Sequence, residues 1–258
     1  MPSLGPHLRE RRDSGRKLLV PYVTGGIVED WVEIIEAYAD AGADAVEVGI
    51  PFSDPVMDGP TIQEASEVAL RRGTTPMSIF SDLRDLDVDI PLVAMSYYNI
   101  AFRSGLERFA AEAAAAHISG AILPDAPLEE IGDWLDVARP AGIETVMLAA
   151  PNSTDERLAR LCATSEGFVY GVNLLGVTGE RTSVAGSAGA LAGRLKALTD
   201  LPVIMGFGIS TPEQAVDVAS ASDGVIVASA IMRLLLDGGD IADAGEVVGR
   251  IRTALDAA

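Results

Sequence analysis

Short runs of β-branched and aliphatic residues alternate along the whole chain with longer stretches in which apolar positions recur every three or four residues. The short runs predict strands over 18–23, 45–49, 92–96, 120–124, 144–148, 167–172, 203–206 and 224–228. Between them lie amphipathic helical patterns such as "EDWVEIIEAYADAG", "TIQEASEVALRRG", "LERFAAEAAAAH" and "TDERLARLCA". Punctuation agrees with periodicity: in "STPEQA" Thr211 is placed to cap a helix whose first residue is Pro212. Strands followed in turn by helices, eight times within 258 residues, predict an α/β fold, a closed (β/α)8 TIM barrel. A further helix precedes the first strand. A doubly wound open sheet of this length would carry fewer strands. No Gly/Ser-rich linker or composition break divides the chain, so a single barrel domain over 1–258 is expected.

Barrel enzymes place their chemistry at the C-terminal ends of the strands and in the loops that follow. The polar residues there are Tyr22 and Thr24, Glu47, Tyr97 with Asn99, Asp125, Asn152 and Tyr170, followed by "LLGVTGERTS", "GFGIS" and "ASA". In "ADAVEVG" the alternation of a strand sends Val46 and Val48 toward the helices and Glu47 into the barrel. A carboxyl among apolar layers loses hydration, which raises its pKa and suits it to proton transfer near neutrality. The same position also suits a structural acid bonded to a tyrosine or a backbone amide. The next loop, "PFSDPVMDGP", carries Asp54 and Asp58 and is stiffened by prolines 51, 55 and 60. An acid before Gly-Pro is ordinarily a turn residue, but a second carboxylate at the same strand mouth suits acid–base work.

Composition narrows the chemistry. The 38 acidic residues against 19 basic ones leave a net charge of −19, which argues against nucleic acid and anionic membranes as partners. The apolar runs are too short to span a bilayer, and the charged N-terminus "MPSLGPHLRERRDSGRK" does not read as a secretory signal, so a cytoplasmic location is expected. Cys162 is the sole cysteine and falls on an amphipathic helix, where a packed thiol is expected. Histidine occurs only at His7 and His117, both in helical segments and expected to be exposed or capping, which disfavours a histidine zinc site or a Ser-His-Asp triad. Lysine occurs only at Lys17, where a strand begins, and at Lys196, expected in mid-helix, so neither suits a Schiff base. Carboxylates, tyrosines, hydroxyls and backbone amides remain. The last two strand–helix junctions, "IMGFGISTPEQA" and "VIVASAIMRLL", combine small residues with helix N-termini where barrels often bind phosphate, yet neither loop has a Lys or Arg.

The run "EVGIPFSDPVMDGPTIQEA" resembles the tryptophan synthase alpha subunit family. "VPYVTGG", "MSYYN", "ILPDAPLEE", "APNSTDERL", "FVYGV", "LGVTGER", "GFGISTPEQ" and "VIVASAI" follow in that family's order over nearly the whole chain. The resemblance implies retro-aldol cleavage of indole-3-glycerol phosphate to indole and glyceraldehyde 3-phosphate, with no cofactor in this subunit. It implies Glu47 as the proton-transferring residue, Asp58 as the partner of the indole N–H, and Tyr22, Tyr97 and Tyr170 around the substrate. Thr178 would meet Asp58 when its loop closes. Gly179, Phe207, Gly208, Ala228 and Ser229 would surround the phosphate. The loop at Asp54 and Pro55 would dock a beta subunit, a pyridoxal-phosphate enzyme, in an alpha2beta2 heterotetramer. The chain departs from the family pattern at Ala228, at Tyr22, and in "GGIVED" after Thr24. Two other readings are a stand-alone lyase that releases free indole and a non-catalytic subunit that binds a phosphate ligand.

Overall fold

Eight parallel strands each pair with both neighbours, and the last pairs with the first, so the closed sheet leaves no edge of unpaired backbone groups. The computed structural model describes residues 1–172, 184–206 and 208–258. The strands are β1 (Leu18–Thr24), β2 (Val46–Gly49), β3 (Leu92–Met95), β4 (Ile118–Ile122), β5 (Glu144–Ala149), β6 (Val169–Val172), β7 (Val203–Gly206) and β8 (Gly224–Val227). Around them run α1 (Leu4–Asp13), α2 (Trp31–Asp40), α3 (Pro60–Arg71), α4 (Pro76–Leu83), α5 (Tyr98–Ser104), α6 (Leu106–Ala115), α7 (Gly132–Ala138), α8 (Asp155–Thr164), α9 (Val184–Lys196), α10 (Pro212–Ala219), α11 (Ser229–Leu236) and α12 (Ile241–Asp256).

All eight expected strands are present, and the barrel with its extra N-terminal helix is as expected. Three helices, α4, α5 and α12, are additional to the sequence reading. A signal for α4 was available: Thr75 caps it in a reciprocal box with Ser78, and Pro76 opens it. Most strand limits fall within one residue of expectation, and two strands start two residues away from it. β4 starts two residues early, where its register against β3 shifts, and β6 starts late because Gly167 turns with φ 67°.

Alternation along the strands sorts the apolar residues into two layers. Leu19, Val23, Val46, Val48 and Met205 join the helices in the outer layer. Leu18, Val20, Ala45, Val93, Ile122, Val146, Phe168, Ile204 and Ile226 fill the barrel. The α1 helix closes the N-terminal end, where Leu4 and Leu8 are fully buried in that inner layer. Each such leucine contributes about 2 kcal/mol of burial. Gly120 and Gly167 make room for it, since a Cβ at either would lie 2.5 or 2.6 Å from the Leu4 side chain. The Gly5 N–H donates to both Glu144 carboxylate oxygens at 3.0 and 3.1 Å, which fixes the start of α1 against β5.

The scarce residues settle into structural roles. Cys162 is buried, as expected, and burial pushes its thiol pKa up. His117 follows α6 with φ 62° and its ring meets the Arg84 carbonyl at 3.2 Å. His7 differs from expectation. It is half-buried beneath the barrel and its buried Nε2 makes no hydrogen bond among the described residues; burial lowers its pKa. Lys196 ends α9 rather than lying in its middle and pairs with Asp223 at 2.7 Å. Lys17 donates to the Ser222 carbonyl at 2.8 Å. Among the described residues no helix is long and apolar enough to cross a membrane.

A buried ion cluster joins both ends of the chain to the barrel. Asp44, wholly buried, accepts from Arg16 at 2.7 Å, from the Leu19 N–H at 2.9 Å and from Arg252 at 3.3 Å. Arg252 is itself 5% exposed and also donates to the Lys17 carbonyl. Removing one partner of such a cluster strands the others without hydration. Asp44→Ala is expected to cost about 3 kcal/mol of unfolding free energy, measured by urea denaturation.

Candidate active site

Inward positions line up where the strands end. Parallel register sets Tyr22 of β1 beside Glu47 of β2, and Glu47 beside Val93 of β3. Two and four residues beyond Val93 the same alternation reaches Met95 and Tyr97. On the far side, Tyr170 of β6 pairs in register with Ile204, two residues before Gly206. Two glycines let these rings lie flat across the strands. A Cβ at Gly49 would stand 1.9 Å from the Tyr22 hydroxyl, and one at Gly206 would stand 2.6 Å from the Tyr170 ring and hydroxyl.

Glu47 is 2% exposed, and its Oε2 is buried with no hydrogen-bond partner among the described residues. Burial first, and the charge of Asp58 second, push its pKa up to about 8. Asp58, half-buried in the next loop, is raised to about 6 by burial, against the lowering effect of a hydrogen bond from the Tyr97 side chain. Near neutral pH Glu47 is therefore mainly protonated and Asp58 mainly ionised. Two carboxyls at one strand mouth thus hold opposite charge states, an arrangement that supplies an acid and an anion at once.

The tyrosine hydroxyls stay protonated. Burial raises the pKa of Tyr22, Tyr97 and Tyr170, and the neighbouring carboxylates add to it. The Tyr22 hydroxyl accepts from Thr24 Oγ1 at 3.1 Å. That of Tyr97 accepts from the Met57 N–H at 2.9 Å, and its ring stacks on Phe52 with centroids 4.9 Å apart. The loop after β1 folds inward: Gly25 donates to the Gly49 carbonyl, Gly26 has φ 79°, and Ile27 is buried.

Of the residues expected around phosphate, Gly208 (φ 66°) and Ser229 are exposed and Ala228 is half-buried at the start of α11. Ala228 has a negative φ of −119°, so no left-handed backbone calls for glycine at this position. Thr178, Gly179 and Phe207 lie outside the described residues. The loop of Asp54 and Pro55 is largely open to solvent, with Val56 80% and Met57 59% exposed. Asn99, Asp125 and Asn152 are also exposed, and Asp125 accepts from the Tyr98 N–H at 2.7 Å. The sequence reading passed over Phe52 and Gln63. Gln63 donates to the carbonyls of Asp58 and Pro55 at 2.9 and 3.3 Å. A cleft of about 560 Å³ runs between Phe52, Pro55 and α3, and neither Glu47 nor Asp58 lines it.

Residues 8–252 match the family described as tryptophan synthase alpha chain. The tryptophan synthase alpha chain of Halorhodospira halophila is 42% identical, covering 99% of this chain and 94% of that protein. That of Methanosarcina mazei is 44% identical over 96% of this chain and 92% of its own length. Tryptophan synthase subunit alpha from Legionella pneumophila superposes with a TM-score of 0.89 at 30% identity over 100% of both chains. A chain of Mycobacterium tuberculosis tryptophan synthase does so with a TM-score of 0.89 at 36% identity over 99% of both.

The raised pKa of Glu47 sets the sign of a stability effect. An acid that binds its proton more tightly when folded favours folding below its unfolded pKa, and that contribution is lost as pH rises through the folded value. For Glu47 the window runs from about 4.5 to about 8. In urea denaturation across that range, Glu47→Gln is expected to gain stability relative to the parent as pH rises.

Proposed function

Because the chain belongs to the tryptophan synthase alpha chain family, we propose that it is a lyase that cleaves indole-3-glycerol phosphate to indole and glyceraldehyde 3-phosphate. The observation that carries this reading is the buried carboxyl of Glu47, its Oε2 without a hydrogen-bond partner among the described residues, beside a second carboxyl of different charge state. Protonated Glu47 delivers its proton to C3 of the indole ring. The positive charge that develops on the ring nitrogen is stabilised by the Asp58 carboxylate, which accepts the N–H. Glu47, now anionic, takes the proton of the glycerol hydroxyl next to the ring. The carbon–carbon bond then breaks, its electrons restore the aromatic ring, and the hydroxyl carbon leaves as the aldehyde. One proton is given and one recovered, so the residue returns to its starting state.

Tyr22, Tyr97 and Tyr170 serve as walls of the indole pocket and Thr178 as a closing contact to Asp58. Gly179, Phe207, Gly208, Ala228 and Ser229 surround the phosphate. With no Lys or Arg in the loops between β7 and α10 and between β8 and α11, backbone amides and the N-termini of those helices supply the attraction for that anion. The exposed apolar tip at Val56 and Met57, next to Asp54 and Pro55, supports docking of a beta subunit on this loop. An alpha2beta2 assembly is the expected form.

Incubation of the purified chain with indole-3-glycerol phosphate, with and without a beta subunit, should release indole, faster with the partner present. Glu47→Gln should lose at least about a thousandfold in kcat, the scale of a general acid–base group together with its charge. Near-parental turnover by that variant would discard the mechanism. The pH profile of kcat/KM should be bell-shaped, with limbs near the pair's apparent values of about 6 and about 8.

A further inference from the structure

Asp58 sits in a loop with an exposed tip, yet its carboxylate has to meet a ring nitrogen in one place. The main chain at Asp58 is held from outside by the Gln63 amide. The side chain is addressed from inside, by Tyr97. That residue follows β3, is 3% exposed, and brings its hydroxyl to the Met57 N–H at 2.9 Å, one residue before Asp58. Phe52, at the other end of the loop, stacks on the same ring at 4.9 Å and 28°. One rigid side chain on the barrel wall thus contacts both limbs of the loop.

On the reading of the site given above, we propose that Tyr97 is a positioning residue for Asp58: its hydroxyl accepts from the Met57 backbone and donates to the Asp58 carboxylate, aiming that carboxylate inward and keeping it ionised. An oxygen that accepts a backbone N–H has its own hydrogen free for a second partner, and an ionised carboxylate beside it is the stronger acceptor. The bond favours the charged form of Asp58, opposing the burial that favours the neutral one. Burial and the Asp58 charge keep the Tyr97 hydroxyl protonated, so it remains a donor throughout the working range. Anything that displaces the exposed tip at Val56 and Met57 moves the Met57 N–H, and through it Tyr97 and Asp58.

The test is a comparison of the parent, Tyr97→Phe and Phe52→Leu. Titration of 13C-labelled aspartate side chains by NMR, with the Asp58 resonance identified by its loss in Asp58→Asn, needs no turnover. Tyr97→Phe should raise the Asp58 midpoint by about one pH unit, the size of one hydrogen bond to a charged group. The acidic limb of kcat/KM for indole release should move with it, whereas a limb due to the substrate phosphate would stay in place. Phe52→Leu, which keeps the hydroxyl, should lower kcat/KM without moving that limb. An Asp58 midpoint unchanged in Tyr97→Phe would overturn the proposal. A shifted midpoint in Tyr97→Phe, together with a parent protein that releases no indole, would support the Tyr97–Asp58 link while sinking the lyase reading.

Discussion

Closure of the sheet is the constraint from which the site follows. Once β8 pairs with β1, every second residue of every strand must point into one shared interior, and apolar side chains fill that interior up to its rim. Glu47 is the inward residue at the rim of β2, so the strand geometry that buries Ala45 beneath it also strips its carboxyl of water. Its raised pKa is a consequence of topology, not of a special neighbour, since burial outweighs the charge of Asp58. The glycines at 49 and 206 belong to the same logic. They thin the strand just where Tyr22 and Tyr170 need to lie across it.

The two carboxyls differ because their supports differ. Glu47 is on a strand, surrounded by the barrel wall, and its Oε2 has no donor among the described residues. Asp58 is on a loop, less buried, and has a phenol beside it. One environment holds a proton near neutrality and the other releases it, which suits the two carboxyls to the different roles proposed for them. The opposite end of the barrel carries the stability. There α1 plugs the opening with Leu4 and Leu8, and Asp44 ties the chain's two terminal segments to β1 through Arg16 and Arg252. Chemistry at one face and fastening at the other leave the loop of residues 52–58 free to present an exposed tip.

By itself the sequence determined the barrel, because eight strand and helix patterns in alternation admit few other closures. It also placed Glu47 inward, because strand alternation has a period of two and a single register sends Val46 and Val48 to the helices. It singled out Tyr22, Tyr97 and Tyr170 as strand-end residues by counting along those same strands, and Asp58, in the loop after the second strand, as a second carboxylate at that strand's mouth. The helices α4, α5 and α12 were missed: the first two are short, and the capping boxes of Thr75 with Ser78 and of Asp240 with Asp243 are local signals that periodicity alone does not register. Only the tertiary structure decided which groups meet. The stacking of Phe52 on Tyr97, the reach of the Tyr97 hydroxyl to Met57, and the burial of Asp44 between two arginines join residues far apart in the chain. No local pattern encodes such contacts, because they arise from strand register and loop path together. The charge states of Glu47 and Asp58 depend on the same contacts, since desolvation is a property of the packed barrel and not of either residue.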